Sequence, residues 1–293
     1  MSDHTLGGPG QNGKMMVVNG ATSGVQKVWG QLVPVTTNTT YVFSVWVSTA
    51  VGGGPAVLEL EINGATQGAG FSAPTATGSW IQMSRVWNSG ANTTADLALY
   101  DTNVNSFPND YYIDDVSLEE AITTICNPGL DGVIGCPCSN PPSGAGRGCN
   151  NFGPNPPGGT GGAVLQATGL PSIGTDTLQF QVTDEVTSVS GITVLWQGAA
   201  KLPAGVRSGA GVRCVSTSLV RVYKGNAVAG AIGFPRCAQP DVHTSSSSKG
   251  YVIDPPITLY YYAAYRNVGA GTPCGNINLG FNTTNGLQVS WAP

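Results

Sequence analysis

Most of this chain alternates between apolar and polar residues with a period of two. Between residues 41 and 48, for example, Tyr41, Phe43, Val45 and Val47 fall on one face of an extended segment. Similar segments recur along the sequence and are separated by Gly, Asn, Ser and Pro, which favour tight turns. No segment sustains the 3.6-residue period of an amphipathic helix. The pattern therefore predicts an all-β protein with almost no helix.

The composition excludes several classes of function. Only 10% of the 293 residues are charged and the net charge is −4, so the chain offers no basic field for nucleic acid. No apolar run approaches the roughly 18 residues of a membrane span. The first residues lack the basic start and apolar stretch of a signal peptide. We therefore expect either a cytoplasmic protein or a sequence numbered from within a longer precursor, and the cysteines favour the second.

All seven cysteines lie in the second half of the chain. Four of them fall in a Pro- and Gly-rich stretch between Cys126 and Cys149. They lack the paired spacing of common zinc sites, and neither histidine is near in sequence. We therefore expect disulfides formed in an oxidising, extracellular compartment. The odd count leaves one thiol either free or bonded to another molecule.

Three motifs in the first half carry a resemblance to a known family: residues 3–5 (DHT), 15–21 (MMVVNGA) and 111–118 (YYIDDVSL). The segment from Lys14 to Leu118 resembles the carbohydrate-binding jelly rolls that are appended to bacterial glycanases and surface proteins. In such modules the first two motifs follow an opening strand, which we expect this jelly roll to lack unless a longer precursor supplies it. We therefore expect one sheet to expose an unpaired edge or a groove.

The second half carries a different resemblance. Its motifs are residues 136–142 (CPCSNPP), 146–149 (GRGC), 211–214 (GVRC), 260–266 (YYYAAYR) and 285–291 (NGLQVSW). They resemble a C-terminal β domain of large secreted proteins from planctomycetes and myxobacterium-like bacteria, a family that implies no activity. Cys237 lies outside its pattern, which makes it the candidate for the unpaired thiol. We expect Cys214 to pair with Cys274, and the remaining four to pair among themselves: Cys126, Cys136, Cys138 and Cys149.

These features together predict two tandem antiparallel β-sandwiches, a jelly roll followed by a disulfide-tied sandwich. The predicted domains are a carbohydrate-binding-like jelly roll at 1–120, a Cys-, Pro- and Gly-rich connecting segment at 121–162, and a second sandwich at 163–293.

The candidate glycan site combines an aromatic ring with polar groups. Trp46 lies on the less apolar face of its strand, and we predict that it stacks on a sugar while Glu59, Glu61 and Gln31 bind hydroxyls. The alternatives are that Trp46 belongs to the core and that the glutamates only line a solvated face. Catalysis is disfavoured, because two carboxylates side by side on one strand cannot flank a scissile glycosidic bond.

Asp114 and Asp115 are candidate ligands for a structural calcium ion. The jelly-roll resemblance implies this site, with Asp3 or Asp110 nearby, because Ca²⁺ needs six to eight oxygen ligands. Ordinary turn carboxylates are the alternative. His4 and His243 lie far apart in polar loops and fit neither a catalytic triad nor a zinc site.

We therefore predict a secreted, non-catalytic protein that binds a polysaccharide or surface glycan, or mediates adhesion at the bacterial cell surface. The alternative is a structural subunit of an extracellular filament or coat. In that case copies would self-assemble by strand complementation, each donating a strand to the open edge of the next.

Overall fold

The computed structural model of this chain describes residues 4, 14–20, 23–52, 54–103, 109–151, 159–186, 191–216, 218–267 and 280–293. The chain divides into two compact units. The first unit comprises Met1–Glu120 with Ala292–Pro293, and the second unit comprises Ala121–Trp291. Within the described ranges there is one short helix, and every other regular element is a strand. The prediction of an all-β protein with almost no helix is confirmed.

In the residues that the structure describes, the first unit contains two antiparallel sheets built from nine strands. The four-stranded sheet has the order β1-β9-β3-β7, and the five-stranded sheet has the order β2-β8-β4-β5 with β6 also paired to β4. The strands are β1 (Met16–Val18), β2 (Gln26–Pro34), β3 (Thr40–Thr49), β4 (Val57–Ile62), β5 (Ala65–Thr66), β6 (Phe71–Ser72), β7 (Trp80–Asn88), β8 (Thr94–Asp101) and β9 (Tyr111–Glu120).

The period-two alternation seen in the sequence builds the core of the first unit. Phe43 and Val45 of β3 point inward from the four-stranded sheet, and Leu58 and Leu60 of β4 point inward from the five-stranded sheet. All four side chains are at most 1% exposed. Burial of one such side chain stabilises the fold by about 1.5–3 kcal/mol. The two sheets therefore form the layers of a sandwich, as predicted.

The second unit contains a five-stranded sheet of order β10-β19-β18-β13-β16, a three-stranded sheet of order β11-β12-β17, and the hairpin β14-β15. Its elements are β10 (Ile122–Ile125), β11 (Val164–Thr168), β12 (Gln179–Thr183), β13 (Ile192–Gly198), β14 (Lys201–Ser208), β15 (Gly211–Val215), β16 (Leu219–Asn226), β17 (Ile232–Phe234), α1 (Val242–Ser248), β18 (Ile257–Arg266) and β19 (Phe281–Trp291).

The main core of the second unit lies between its two larger sheets. Phe180 of β12 and Phe234 of β17 meet Tyr261 of β18 and Trp291 of β19 there. The indole N–H of Trp291 donates to the Tyr261 hydroxyl at 3.2 Å, so both polar atoms are satisfied in the interior. This unit is also a sandwich, which confirms the predicted tandem arrangement.

A second buried cluster forms on the other face of the five-stranded sheet. It contains Ile125, Val133 and Val212 together with cysteines of the Cys-rich stretch. β10 pairs with β19 in register from Ile122 to Ile125. The range 121–162 was predicted to be a connecting segment. It falls within the second unit, which begins at Ala121, and β10 at its start completes the five-stranded sheet.

The disulfides differ in part from the predicted pairing. Cys136 bonds to Cys149, as expected within the Cys-rich stretch. Cys126 bonds to Cys214, so the predicted pairing of Cys214 with Cys274 is wrong. Cys138 is also disulfide-bonded, and Cys274 lies outside the described residues.

The Cys126–Cys214 bond follows from the way β15 lies against β19. The Thr283 hydroxyl on β19 donates to the Val212 carbonyl on β15 at 2.9 Å. Cys126 immediately follows β10, which is the other neighbour of β19. The two cysteines are therefore brought to a Cα–Cα distance of 5.5 Å, which suits a disulfide. Among the described cysteines, only Cys237 is free, as predicted, and its side chain is exposed.

The helix of this fold is far too short for a bilayer. α1 has seven residues, and none of the helical segments in the described ranges has the length and apolarity to cross a membrane.

Candidate functional site

Three large aromatic side chains lie together on the outer face of the four-stranded sheet of the first unit. They are Trp46 of β3, Trp80 of β7 and Tyr112 of β9, and we call this set the aromatic face. None of the three belongs to the buried core cluster, and each is half-buried. The alternative that Trp46 is a core residue is therefore wrong, because β3 turns Phe43, Val45 and Val47 inward instead.

Strand register brings these rings together. Ser48 of β3 lies directly between Trp80 of β7 and Tyr112 of β9. The small Ser48 side chain leaves room for the two rings to approach over it, with their centroids 6.4 Å apart. In the next row, Trp46 lies between Gln82 and Asp114. The aromatic face thus combines apolar ring surface with an amide and a carboxylate.

The imidazole of His4 lies directly on this surface. Its ring stacks on the Trp46 indole with centroids 3.7 Å apart and an interplanar angle of 19°. It also meets Trp80 edge-on at 5.8 Å. One flat face of the Trp46 indole therefore points away from the core and can stack on another ring. In this structure the His4 imidazole occupies that face.

Two carboxylates hold His4 in place. The backbone N–H of His4 donates to Asp114 Oδ2 at 3.1 Å, and its Nδ1 lies 2.8 Å from Asp115 Oδ2. The Asp114 side chain is 9% exposed. The side chains of His4 and Asp115 are 25% and 38% exposed. Since both partners are partly in solvent, this ion pair is worth at most about 1 kcal/mol.

A β-bulge explains how two consecutive aspartates reach the same residue. Adjacent residues in a regular strand point to opposite faces. The register between β3 and β9 shifts at this point, so that Ser44 pairs with Ser117 while Trp46 pairs with Asp114. Asp115 lies within the bulge and adopts a φ of 47°, a left-handed conformation that Asp tolerates better than most residues. Both carboxylates can therefore contact His4.

The structure does not bring the predicted glycan-binding residues together. Glu59 and Glu61 lie on β4 in the five-stranded sheet, opposite Tyr100 and Ala98, whereas Trp46 lies in the other sheet. The hydrophobic core separates the two outer faces. The prediction that Trp46 and the two glutamates share one surface is therefore wrong.

Gln31 is exposed on β2, the edge strand of the five-stranded sheet, and it pairs with the inward-facing Leu97. It therefore lies on neither the Glu59 side of that sheet nor the aromatic face. A sugar contact by Gln31, Glu59 or Glu61 individually stays a prediction.

The calcium site also stays a prediction. Asp114 and Asp115 contact His4, and the Asp110 carboxylate accepts the backbone N–H of Gly20 at 3.0 Å. Asp3 lies outside the described residues. Within the described ranges, no group of three or more Asp, Glu, His or Cys side chains is arranged to hold a metal ion. The observed contacts give the two carboxylates a different role, which is to bind His4.

Sequence reasoning missed three members of this site: His4, Trp80 and Tyr112. Alternation in β7 places Trp80 and Gln82 on one face of the strand and the buried Met83 on the other. This pattern is visible in the sequence. The Tyr111–Tyr112 pair was ambiguous, because only register decides that Tyr111 is buried and Tyr112 faces outward. The contact between His4 and Asp115 joins residues 111 positions apart, so no local sequence pattern could predict it.

No family model matches this chain, and no curated protein matches it. Among solved structures, the C-terminal domain of EclA, described as a sugar-binding protein, matches with 15% identity and a TM-score of 0.33. The match covers 38% of this chain and 87% of that one. The CBM22-1 xylan-binding domain of Xyn10C from Paenibacillus barcinonensis matches with 14% identity and a TM-score of 0.25, over 37% of this chain and 95% of that one.

The tandem CBM22-1–CBM22-2 domains of the same Xyn10C match with 13% identity and a TM-score of 0.27. This match covers 96% of this chain and 84% of that one. Similarity at these scores is too low to support any inference about function, which must come from the geometry of the chain's own residues.

Proposed function

We propose that the first unit is a non-catalytic glycan-binding module and that the aromatic face is its binding site. The observation that supports this proposal is the set of contacts that His4 makes with the aromatic face. A flat ring already stacks on Trp46 at 3.7 Å, and its polar edge and backbone N–H reach two carboxylates. The same surface would satisfy any ligand that combines a flat apolar face with hydrogen-bond donors at its edge.

A pyranose ring has this combination of properties. Its C–H groups form an apolar face that stacks on an indole, and its hydroxyl groups donate hydrogen bonds around the rim. On Trp46, the hydroxyls of such a ring would donate to Asp114 and Asp115 in place of His4. Trp80 and Tyr112 extend the apolar surface on the adjacent row. A small number of placed polar groups beside aromatic rings is typical of small-molecule sites.

The negative charge of the aromatic face favours neutral sugars over anionic ones. Asp114 and Asp115 present two carboxylates to the ligand, at the place where both contact His4. An anionic sugar would be repelled by these groups at close range. We therefore propose that the aromatic face binds neutral sugars.

The arrangement of carboxylates supports a binding role over hydrolysis. Asp114 and Asp115 are neighbours on one strand, as Glu59 and Glu61 are near neighbours on another. Glycoside hydrolysis needs two carboxylates that flank the bond from opposite sides. Disulfides in the second unit are typical of oxidising compartments. The carboxylates therefore support a non-catalytic role, and the disulfides support an extracellular location.

Retention on insoluble neutral polysaccharides tests the proposal. We expect Trp46→Ala to weaken retention on xylan or cellulose by at least about tenfold, because removing a stacked aromatic surface costs more than about 1.4 kcal/mol. The matched control is Glu59→Gln with Glu61→Gln, which changes the other sheet and should leave retention unchanged. Circular dichroism checks that each variant is folded.

Two outcomes would contradict the proposal. Full retention by folded Trp46→Ala would place the affinity elsewhere in the chain. Loss of retention in the Glu59→Gln, Glu61→Gln variant alone would move the site to the outer face of the five-stranded sheet.

A second candidate function rests on the open edge of β9. β1 pairs with β9 only from Tyr111 to Ile113, and no described strand pairs with that edge further along, between Val116 and Leu118. A strand from another copy could add there and give a head-to-tail filament or coat. Electron microscopy and light scattering of purified protein test this. A strictly monomeric protein at high concentration would rule it out.

A further inference from the structure

A second aromatic groove lies in the other unit, on the outer face of its five-stranded sheet. It has a volume of about 480 Å³, within the range of about 300–1,000 Å³ that is usual for small-molecule sites. Trp196 of β13, Tyr262 of β18 and Phe281 of β19 contribute its rings, and Ser208 of β14 lines it as well. We call this site the basic groove, for the charges described next.

The rings of the groove lie outside the main core cluster of this unit, although Tyr262 is only 4% exposed and Trp196 is half-buried. Leu195, Tyr261 and Ala263 point inward from the same strands, so their neighbours Trp196, Tyr262 and Ala264 face outward by alternation. Phe281 is 37% exposed and Ile192 is 57% exposed. Large apolar side chains left on an outer face beside a groove are typical of binding surfaces.

Cations surround this apolar floor. Arg266 lines the groove and pairs directly with Phe281. On the opposite side, β16 places Arg221 across from Trp196 and Lys224 across from Val194. All three charged side chains are exposed. The described residues that line the groove include no Asp or Glu.

A fourth cation lies beside the floor. Burial raises the pKa of Tyr262, and the neighbouring Arg213 guanidinium opposes that shift. Arg213 belongs to β15, which pairs with the β14 strand that carries Ser208. The groove therefore has positive charge on the β14–β15 side as well as on the β16 side.

We propose that the basic groove binds an acidic polysaccharide, with one uronic-acid ring stacked on Trp196 and its carboxylate paired with Arg221, which lies directly across from Trp196. A uronic acid offers an apolar C–H face and a carboxylate on the same ring. The aromatic floor of the groove can stack on the C–H face. The cations at its rim can pair with the carboxylate. Lys224 and Arg266 meet carboxylates of neighbouring sugars along the chain. This site is independent of the aromatic face and has the opposite charge.

The groove suits a sugar chain better than an acidic peptide. Peptides commonly gain affinity by adding a strand to a sheet edge, where backbone N–H and C=O groups are open. The basic groove lies over β13 and β18, which are interior strands of the sheet and have both edges paired. Recognition must therefore use side chains, and a stacked ring with a fixed charge fits aromatic and guanidinium groups.

Binding of the full chain to polygalacturonate tests the proposal, with methyl-esterified polygalacturonate as the matched ligand that keeps the backbone and removes the charge. We expect the ester to bind at least about tenfold more weakly, and Arg266→Gln and Trp196→Ala each to weaken binding to the acid about tenfold. Added salt should weaken the same interaction, because the pairs are exposed.

Two control variants isolate the groove. Lys249→Gln removes an exposed cation of the same unit outside the groove, and it should leave affinity unchanged. Trp46→Ala should also leave binding to the acid unchanged, which separates this site from the aromatic face. Arg266→Gln alters only an exposed side chain, so it remains informative if Trp196→Ala does not fold.

Three results would overturn the proposal. Equal affinity for the acid and its ester would remove the role of charge. Unchanged affinity in folded Arg266→Gln or Trp196→Ala would place the site elsewhere. Binding of poly-L-glutamate as tightly as polygalacturonate would show a general polyanion surface in place of a sugar site.

Discussion

The two units of this chain are both antiparallel sandwiches, but they are held together in different ways. The first unit has no cysteine, and its core is aliphatic and aromatic. The second unit adds disulfides on the far face of its largest sheet. It also uses buried amides: Asn285 both donates to and accepts from the backbone of Leu165, at 3.0 and 2.7 Å. The comparison shows how a Gly- and Pro-rich stretch without regular structure can be fixed onto a sheet.

The outer faces of the two units differ in charge. Each presents tryptophan beside other rings, but the aromatic face has carboxylates next to Trp46, and the basic groove has cations around Trp196. Apolar stacking surface is therefore common to both, and the neighbouring charge distinguishes them. The predictions below test whether the two units are as different as this comparison suggests.

The largest expected effect concerns the disulfide between Cys126 and Cys214. Replacing both residues with Ala should destabilise the second unit by about 4 kcal/mol, because the bond closes a loop of 88 residues. The first unit should unfold at the same denaturant concentration as before. Urea titration with hydrogen exchange, which reports on each unit separately, measures both. Cys237→Ala is the control and should change neither unit. Equal destabilisation of both units would contradict the conclusion that this disulfide stabilises the second unit alone.

The second prediction concerns a buried carboxylate of the second unit. Glu185 is 2% exposed, and the Thr193 hydroxyl donates to its two oxygens, 2.7 and 2.9 Å away. Burial raises the pKa of Glu185 to about 7. Between pH about 4.5 and about 7 the unfolded chain ionises Glu185 while the folded chain keeps it neutral. Stability should therefore fall by about 3 kcal/mol as pH rises through this range.

Denaturant titration at a series of pH values checks this dependence. Glu185→Gln should remove most of the slope, since the amide keeps the size of the side chain and does not titrate. A smaller slope of the same sign should remain, because burial also raises the pKa of Asp176. A wild-type stability that increases between pH 5 and 7 would contradict the prediction.

The smallest expected effect concerns His4. Any sugar that stacks on Trp46 must displace the imidazole, whose exposed ion pair is worth at most about 1 kcal/mol. His4→Ala should therefore raise affinity for a neutral polysaccharide by no more than about fivefold, as measured by calorimetry, and leave the basic groove unaffected. Weaker binding by His4→Ala would mean that His4 contacts the sugar instead of competing with it.

Local pattern predicted much of the fold and only part of the candidate sites. Alternation in β3 correctly placed Phe43, Val45 and Val47 on one face, and that face is buried in the core. It did not decide in which sheet a strand lies, so Trp46 and Glu59 were grouped although they lie in different sheets. Pairing of cysteines failed for the same reason. Cys126 and Cys214 meet only because β10 and β15 both lie against β19, and that arrangement is not encoded near either residue.

The bulge in β9 has a consequence for how such a strand is read. Its inward residues are Tyr111 and Ile113, and after the bulge Val116 and Leu118. The spacing of apolar positions is therefore two, three and two, a phase shift located at the two adjacent aspartates. A strict search for alternation would break this strand in the middle and lose its second half. In this strand the two adjacent aspartates at the phase shift both contact the same residue, His4.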